Sequence, residues 1–109
     1  MANLTPKLLH IGNAASSNVY STANVVGNYT IIKSINICNT GNIPERCTIH
    51  ILVNGAAATT GNRVISNAEV LANNVLYYNT AIVVPANSNV FISQANTNLT
   101  FTLSGVEYA

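Results

Sequence analysis

The chain has 109 residues, of which four are Lys or Arg and three are Glu; the formal net charge is +1, and Asp and Trp are absent. Such a length predicts one domain with a single core that needs neither metals nor many disulfides. The charged fraction of 6%, against a usual ~25%, excludes a basic stripe for nucleic acid and leaves few groups for acid–base chemistry.

Apolar residues make up 49% and the net charge is low, which excludes the disordered class. Asn supplies 18 positions. Two sources account for that excess: AT-rich coding, and a surface that stays wet without strong fields and desolvates against a partner more easily than a Lys/Glu surface.

Residues 7–11 are the first strand candidate, and the segment 1–12 is read as an arm that reaches a neighbouring subunit, on the strength of Pro6, Leu8, Leu9 and Ile11. A short strand follows at 19–21. Further on, Tyr29, Ile31, Lys33, Ile35 and Ile37 share one face by strict alternation, opposed by Thr30, Ser34, Asn36 and Cys38. That places Lys33 near a sheet rim, its stem packed and its ammonium in water. Asn39, Gly41, Asn42 and Pro44 then form a reversal.

Cys47, Ile49, Ile51 and Val53 alternate with Arg46, Thr48 and His50 in the next strand. Cys38 and Cys47 flank the reversal; they either face each other across a hairpin as a disulfide or remain two reduced, buried thiols, and the second is expected. Asn54-Gly55 is a turn signal that opens an exposed small-residue loop to Gly61. Residues 63–65 are a strand candidate, and 67–72 is the one stretch that could form a helical turn. Val75, Leu76, Tyr77 and Tyr78 open a strand over 75–84 that is apolar on both faces, as expected for double burial or for contact with a neighbouring subunit. Strands over 89–93 and 98–104 complete the chain; in the last, Leu99, Phe101 and Leu103 face one way and Thr100, Thr102 and Ser104 the other.

Seven or eight short strands with turns about every ten residues predict an all-β antiparallel sandwich, jelly-roll or Ig-like, over 13–109. No catalytic residue, cofactor site or metal site is expected. Ser-His-carboxylate catalysis needs three groups in contact and a glycosidase two facing carboxylates, whereas Glu45, Glu69 and Glu107 are scattered and read as solvated or salt-bridged. His10 and His50 read as ordinary surface or interface side chains; Cys47 and His50, three apart, do not share a strand face. The five Tyr fit packing or an interface better than sugar stacking. No apolar run reaches the ~20 residues of a membrane span, and the opening residues show no signal peptide, so no membrane and no nucleic-acid partner is expected.

Three stretches carry a resemblance: Thr30-Ile31-Ile32-Lys33-Ser34-Ile35-Asn36-Ile37-Cys38-Asn39-Thr40-Gly41, Thr48-Ile49-His50-Ile51-Leu52-Val53, and the ending Leu103-Ser104-Gly105-Val106-Glu107. In order and spacing they resemble a class of small virion proteins of tailed bacteriophages. Where that class often has a proline-containing segment before the Lys strand, this chain has Tyr20 to Gly27 without proline. The resemblance implies a non-enzymatic β-sandwich subunit of the virion, on capsid, neck or tail, partnered by other virion proteins and by its own copies, as a trimer by analogy or as many copies on a lattice. Candidate interface residues are Leu8, Leu9, Ile11, Leu76, Tyr77 and Tyr78. The alternative is a module of a phage tail or fibre that binds host-surface glycan through its tyrosines and Asn-rich loops.

Overall fold

A computed structural model describes residues 4–13, 16–22, 29–94 and 98–108. Its strands, in chain order, are β1 (Leu4–Asn13), β2 (Ser17–Ser21), β3 (Tyr29–Asn39), β4 (Glu45–Val53), β5 (Arg63–Val70), β6 (Val75–Val84), β7 (Ser88–Gln94) and β8 (Leu99–Tyr108), with one 3-10 turn at Thr60–Asn62 before β5. All pair antiparallel in two four-stranded sheets, β1-β8-β3-β6 and β2-β7-β4-β5. The all-β sandwich is therefore as expected. Successive strands change sheet at nearly every connection; only β4 and β5 are a pair within one sheet. That order is a jelly roll.

Alternation decides most of the core. Ile35 and Ile37 of β3, Cys47, Ile49 and Ile51 of β4, Val90 and Ile92 of β7, and Leu99, Phe101 and Leu103 of β8 are buried between the sheets. Strict alternation fails in the first half of β3. Ile32, not Ile31, is in the core, because Lys33 is an extra residue: Ile32 pairs with Gly105 and Ser34 with Ser104. This β-bulge shifts the phase by one, so Thr30 and Ile32 point inward together with Ile35 and Ile37. Lys33 is exposed at the bulge, in mid-strand rather than at a rim. The Thr80 hydroxyl donates to the Ile32 carbonyl at 2.7 Å beside the bulge.

The segment 67–72 is not a helical turn. β5 runs on to Val70, with a bulge where Thr48 faces Ser66 and Asn67. Asn67 has φ 52°, its N–H donates to Thr48 Oγ1 at 3.0 Å, and its carbonyl accepts from Arg46 Nη1 at 3.0 Å. A bulge interrupts period two, and that hid the strand.

Four of the five non-Gly residues with positive φ among the described residues are Asn: 54, 67, 73 and 87. Part of the Asn excess thus serves left-handed backbone, which Asn tolerates better than most residues. Asn54 and Gly55, at φ 53° and 78°, form a tight turn closed by Ala56 N–H to the Val53 carbonyl at 3.1 Å.

The reversal after β3 is a crossing between sheets, not a hairpin, so Cys38 and Cys47 lie in different sheets; both are free thiols, but only Cys47 is buried, Cys38 facing outward and partly exposed. Buried Asn39 pins the crossing. Its Nδ2 donates to the Ile43 and Val70 carbonyls at 2.8 and 3.0 Å, and its Oδ1 accepts from the Gly41 N–H at 2.8 Å.

Burial lifts the Cys47 thiol from 9.0 to about 11. The Tyr20 hydroxyl, raised from 10.0 to about 12, owes its shift first to burial and then to the hydrogen bond it makes to Glu107. Both groups are neutral in the native state and ionise more readily when unfolded, so the folded state holds more protons at alkaline pH. Their contributions are complete below about pH 9 and are lost as pH rises towards 11 for Cys47 and 12 for Tyr20. Melting temperatures measured from pH 7 to 11 should stay level and then fall above about pH 9; a level profile to pH 11 contradicts the burial of both groups.

A candidate interface on the outer face of the first sheet

Cross-strand register defines the outer face of β1-β8-β3-β6 row by row, since opposed residues share a face. One row is Pro6, Val106, Ile31 and Val83. The next is Leu8, Ser104, Ser34 and Asn79; then come Ile11, Thr102, Asn36 and Tyr77, and last Asn13, Thr100, Cys38 and Val75. Ser34 and Ser104 hydroxyls hydrogen-bond across the centre. Lys33 is the single charged side chain on this face among the described residues. Leu8 (53% exposed), Ile11 (64%), Val75 (48%), Tyr77 (60%) and Val83 (52%) border it on the two edge strands. They are five of the nine large apolar residues that are exposed among the described ones, so the exposed apolar surface is concentrated here.

The opposite outer face is built differently. The loop after β4 folds back over it, and Asn62 holds the loop down. Asn62 Oδ1 accepts from Thr59 N–H at 3.0 Å and lies 2.7 Å from His50 Nδ1, while its Nδ2 donates to the Ala57 carbonyl at 2.9 Å. An amide oxygen only accepts, so His50 carries its proton on Nδ1. His50 is buried beneath this loop, edge-on to Phe91 with ring centroids 5.9 Å apart, and is not a surface histidine. Further along β4, beyond the bulge, the register pair Arg46 and Glu69 is an exposed ion pair at 3.5 Å.

The six residues expected at an interface divide between the two sides of one sheet. Leu8, Ile11 and Tyr77 share the outer face, Ile11 and Tyr77 at opposite ends of one row. Leu9 is a core residue, as alternation from outward Leu8 requires; the bulge between Leu8 and His10 then returns Ile11 to the outer face, and Leu76 and Tyr78 pack partly buried against the core. Val75, expected at double burial or against a neighbouring subunit, lies on this outer face, as do Val83, Ile31 and Val106, which are not among the six. The alternation of β6 already placed Val75, Tyr77, Asn79, Ala81 and Val83 on one face; the Ile31 assignment needed the bulge. The described part of the expected arm is β1, hydrogen-bonded along its length to the chain's own β8; residues 1–3 lie outside the described residues.

The carboxylates have three different fates. Glu69 is in the exposed pair above. Glu107 lies 3.3 Å from Lys7 Nζ and accepts the Tyr20 hydroxyl at 2.5 Å, with Thr30 Oγ1 also 2.8 Å from that hydroxyl. Glu45, expected to be solvated or paired, is buried, and neither oxygen has a hydrogen-bond partner among the described residues. Tyr29 and Tyr108 stack at 4.9 Å and 8° at one end of the sheet. Among the described residues no group of three His, Cys or Glu could hold a metal ion, and no helix is long and apolar enough to cross a membrane. No protein-family model, curated protein or solved structure matches this chain.

Proposed function

We propose that this chain is a non-enzymatic structural subunit of a bacteriophage particle, a capsid-decoration or neck- or tail-associated protein that acts by packing against its own copies and other virion proteins. The observation that carries this reading is the outer face of the first sheet, with one charge and a border of Leu8, Ile11, Val75, Tyr77 and Val83. Four strands about 4.8 Å apart and about ten residues long span roughly 600 Å² in plan. Side-chain relief brings that near the ~800 Å² per partner of a standard interface. Bringing two such faces together sets few like charges against each other, and a net charge of +1 keeps long-range repulsion low. The three motif stretches point to the same class, and jelly rolls recur in viral capsid proteins, a fold-level analogy only.

Tyr77→Glu combined with Val83→Glu should leave a folded protein that no longer enters particles, as read by mass spectrometry of purified virions of the phage that encodes it. Absence of the unaltered chain from those virions refutes the proposal. The glycan-binding reading has one feature in its favour, the exposed Tyr77 ring whose hydroxyl donates to Asn79 Oδ1 at 3.0 Å. Jelly rolls also serve lectins. Sugar binding on a glycan array that Tyr77→Ala abolishes would support it.

A further inference from the structure

The sandwich has four edge strands, β1 and β6 in one sheet and β2 and β5 in the other. An edge presents a row of unpaired N–H and C=O groups, and proteins blunt such edges with charge, proline, bulges or shortness. Three of these edges are blunted. β1 carries Pro6, Lys7 and a bulge; β2 has five residues and a bulge; β5 has Arg63, Glu69 and two register breaks. β6 has none of the first two devices and is not short: its ten residues, Val-Leu-Tyr-Tyr-Asn-Thr-Ala-Ile-Val-Val, include no charge and no proline. Its register with β3 shifts beside Lys33, yet its own in–out alternation runs unbroken from Val75 to Val83. Its inward side chains Leu76, Tyr78, Thr80 and Ile82 are only partly buried, so the flank of the sandwich is open along this strand.

We propose that β6 is the pairing edge for a second copy of this chain, the two copies joining their first sheets into one eight-stranded antiparallel sheet about a two-fold axis. The occupant is a second copy because the strand is complementary to itself. Antiparallel pairing that keeps each face continuous sets residues of equal parity opposite one another. Centred on Asn79, such a register puts Val75 opposite Val83 of the second copy, Leu76 opposite Ile82 and Tyr77 opposite Ala81. Apolar residues meet apolar residues on both faces, and a large ring meets a small side chain. An uncharged edge offers a charged partner strand no complement, whereas two copies meet without repulsion. The join would also make the two outer faces one surface, with the exposed Val75, Tyr77 and Val83 of both copies at its middle. This deepens the subunit-packing reading by naming the edge and the symmetry, and it gives a two-fold contact where the resemblance suggests a trimer.

Light scattering on the purified full chain should give twice the 11.5 kDa chain mass. Asn79→Lys, at an exposed outward position, should set two ammonium groups side by side at the axis and raise the dimer dissociation constant at least tenfold, with circular dichroism and melting temperature retained. Asn79→Cys should give a disulfide-linked dimer on mild oxidation, since directly opposed Cβ atoms lie about 4.5–5.5 Å apart, while Asn18→Cys, on the exposed outer side of β2, should not. A monomer at high concentration, or an oligomer of any order that both Asn79 variants leave unchanged, overturns the inference. Loss of the dimer in Asn79→Lys together with absence of the unaltered chain from virions keeps the inference and removes the functional proposal.

Discussion

Replacing Gly105 by alanine should lower stability by at least about 3 kcal/mol. A Cβ on Gly105 would sit 2.0 Å from the Ile31 carbonyl oxygen, 3.0 Å from its carbon and 3.1 Å from Ile32 Cα. These are backbone atoms of the neighbouring strand, so no rotamer change relieves the contact, and β3 and β8 must part at the centre of their sheet. The close approach follows from the bulge: the extra Lys33 brings the β3 chain towards β8 where Gly105 pairs with Ile32. In thermal unfolding the loss corresponds to a melting temperature lower by more than ~10 °C. Gly61→Ala is the control, because its Cβ would meet nothing nearer than Thr59 Oγ1 at 3.7 Å, and it should change little. Equal stability of the two variants would contradict the bulge.

The second large effect separates two adjacent isoleucines. Ile32 is fully buried, whereas Ile31 lies on the outer face in the row with Val83 and Val106. Ile32→Ala deletes core methylenes and leaves a cavity, at about 2–5 kcal/mol. Ile31→Ala removes a partly buried side chain from the outer face, leaves no enclosed cavity, and should cost less, about 1–2 kcal/mol in the isolated chain. Urea denaturation of both variants reads the difference directly. The reverse order would restore strict alternation through β3 and place Lys33 on the buried side of the phase.

Both predictions fall on the residues that carried the resemblance. Ile32-Lys33-Ser34 and Ser104-Gly105 lie far apart in the chain but pair across the bulge. The end of the first of those stretches, Asn39-Thr40-Gly41, is the crossing between sheets, where Asn39 is satisfied by three hydrogen bonds and a Cβ on Gly41 would come within 2.9 Å of Asn98 Nδ2. These motifs have structural reasons that are visible only once the strands are paired.

Much of the strand content was legible residue by residue. Leu99, Phe101 and Leu103 alternate in sequence and are fully buried; Val75 to Val84 was assigned its full length. What misled was local. Period two survives only while a strand is regular, so the bulges at Lys33 and Asn67 put Ile31 in the wrong layer and let the end of β5 read as a possible helical turn. His50 looked exposed because its neighbours alternate, and its burial depends on a loop that returns over the sheet under the control of Asn62.

By itself the amino-acid sequence determined a sparsely charged, apolar-cored chain of short antiparallel strands, because hydrophobic alternation and turn residues act within a few positions of one another. Only the tertiary structure decided which strands share a sheet, that Leu9 and Tyr78 face the core while Leu8 and Tyr77 face outward together, and that β6 is an edge. Those outcomes depend on pairing between residues as distant as Ile11 and Thr102, where register and bulges, rather than local pattern, choose the face each side chain occupies.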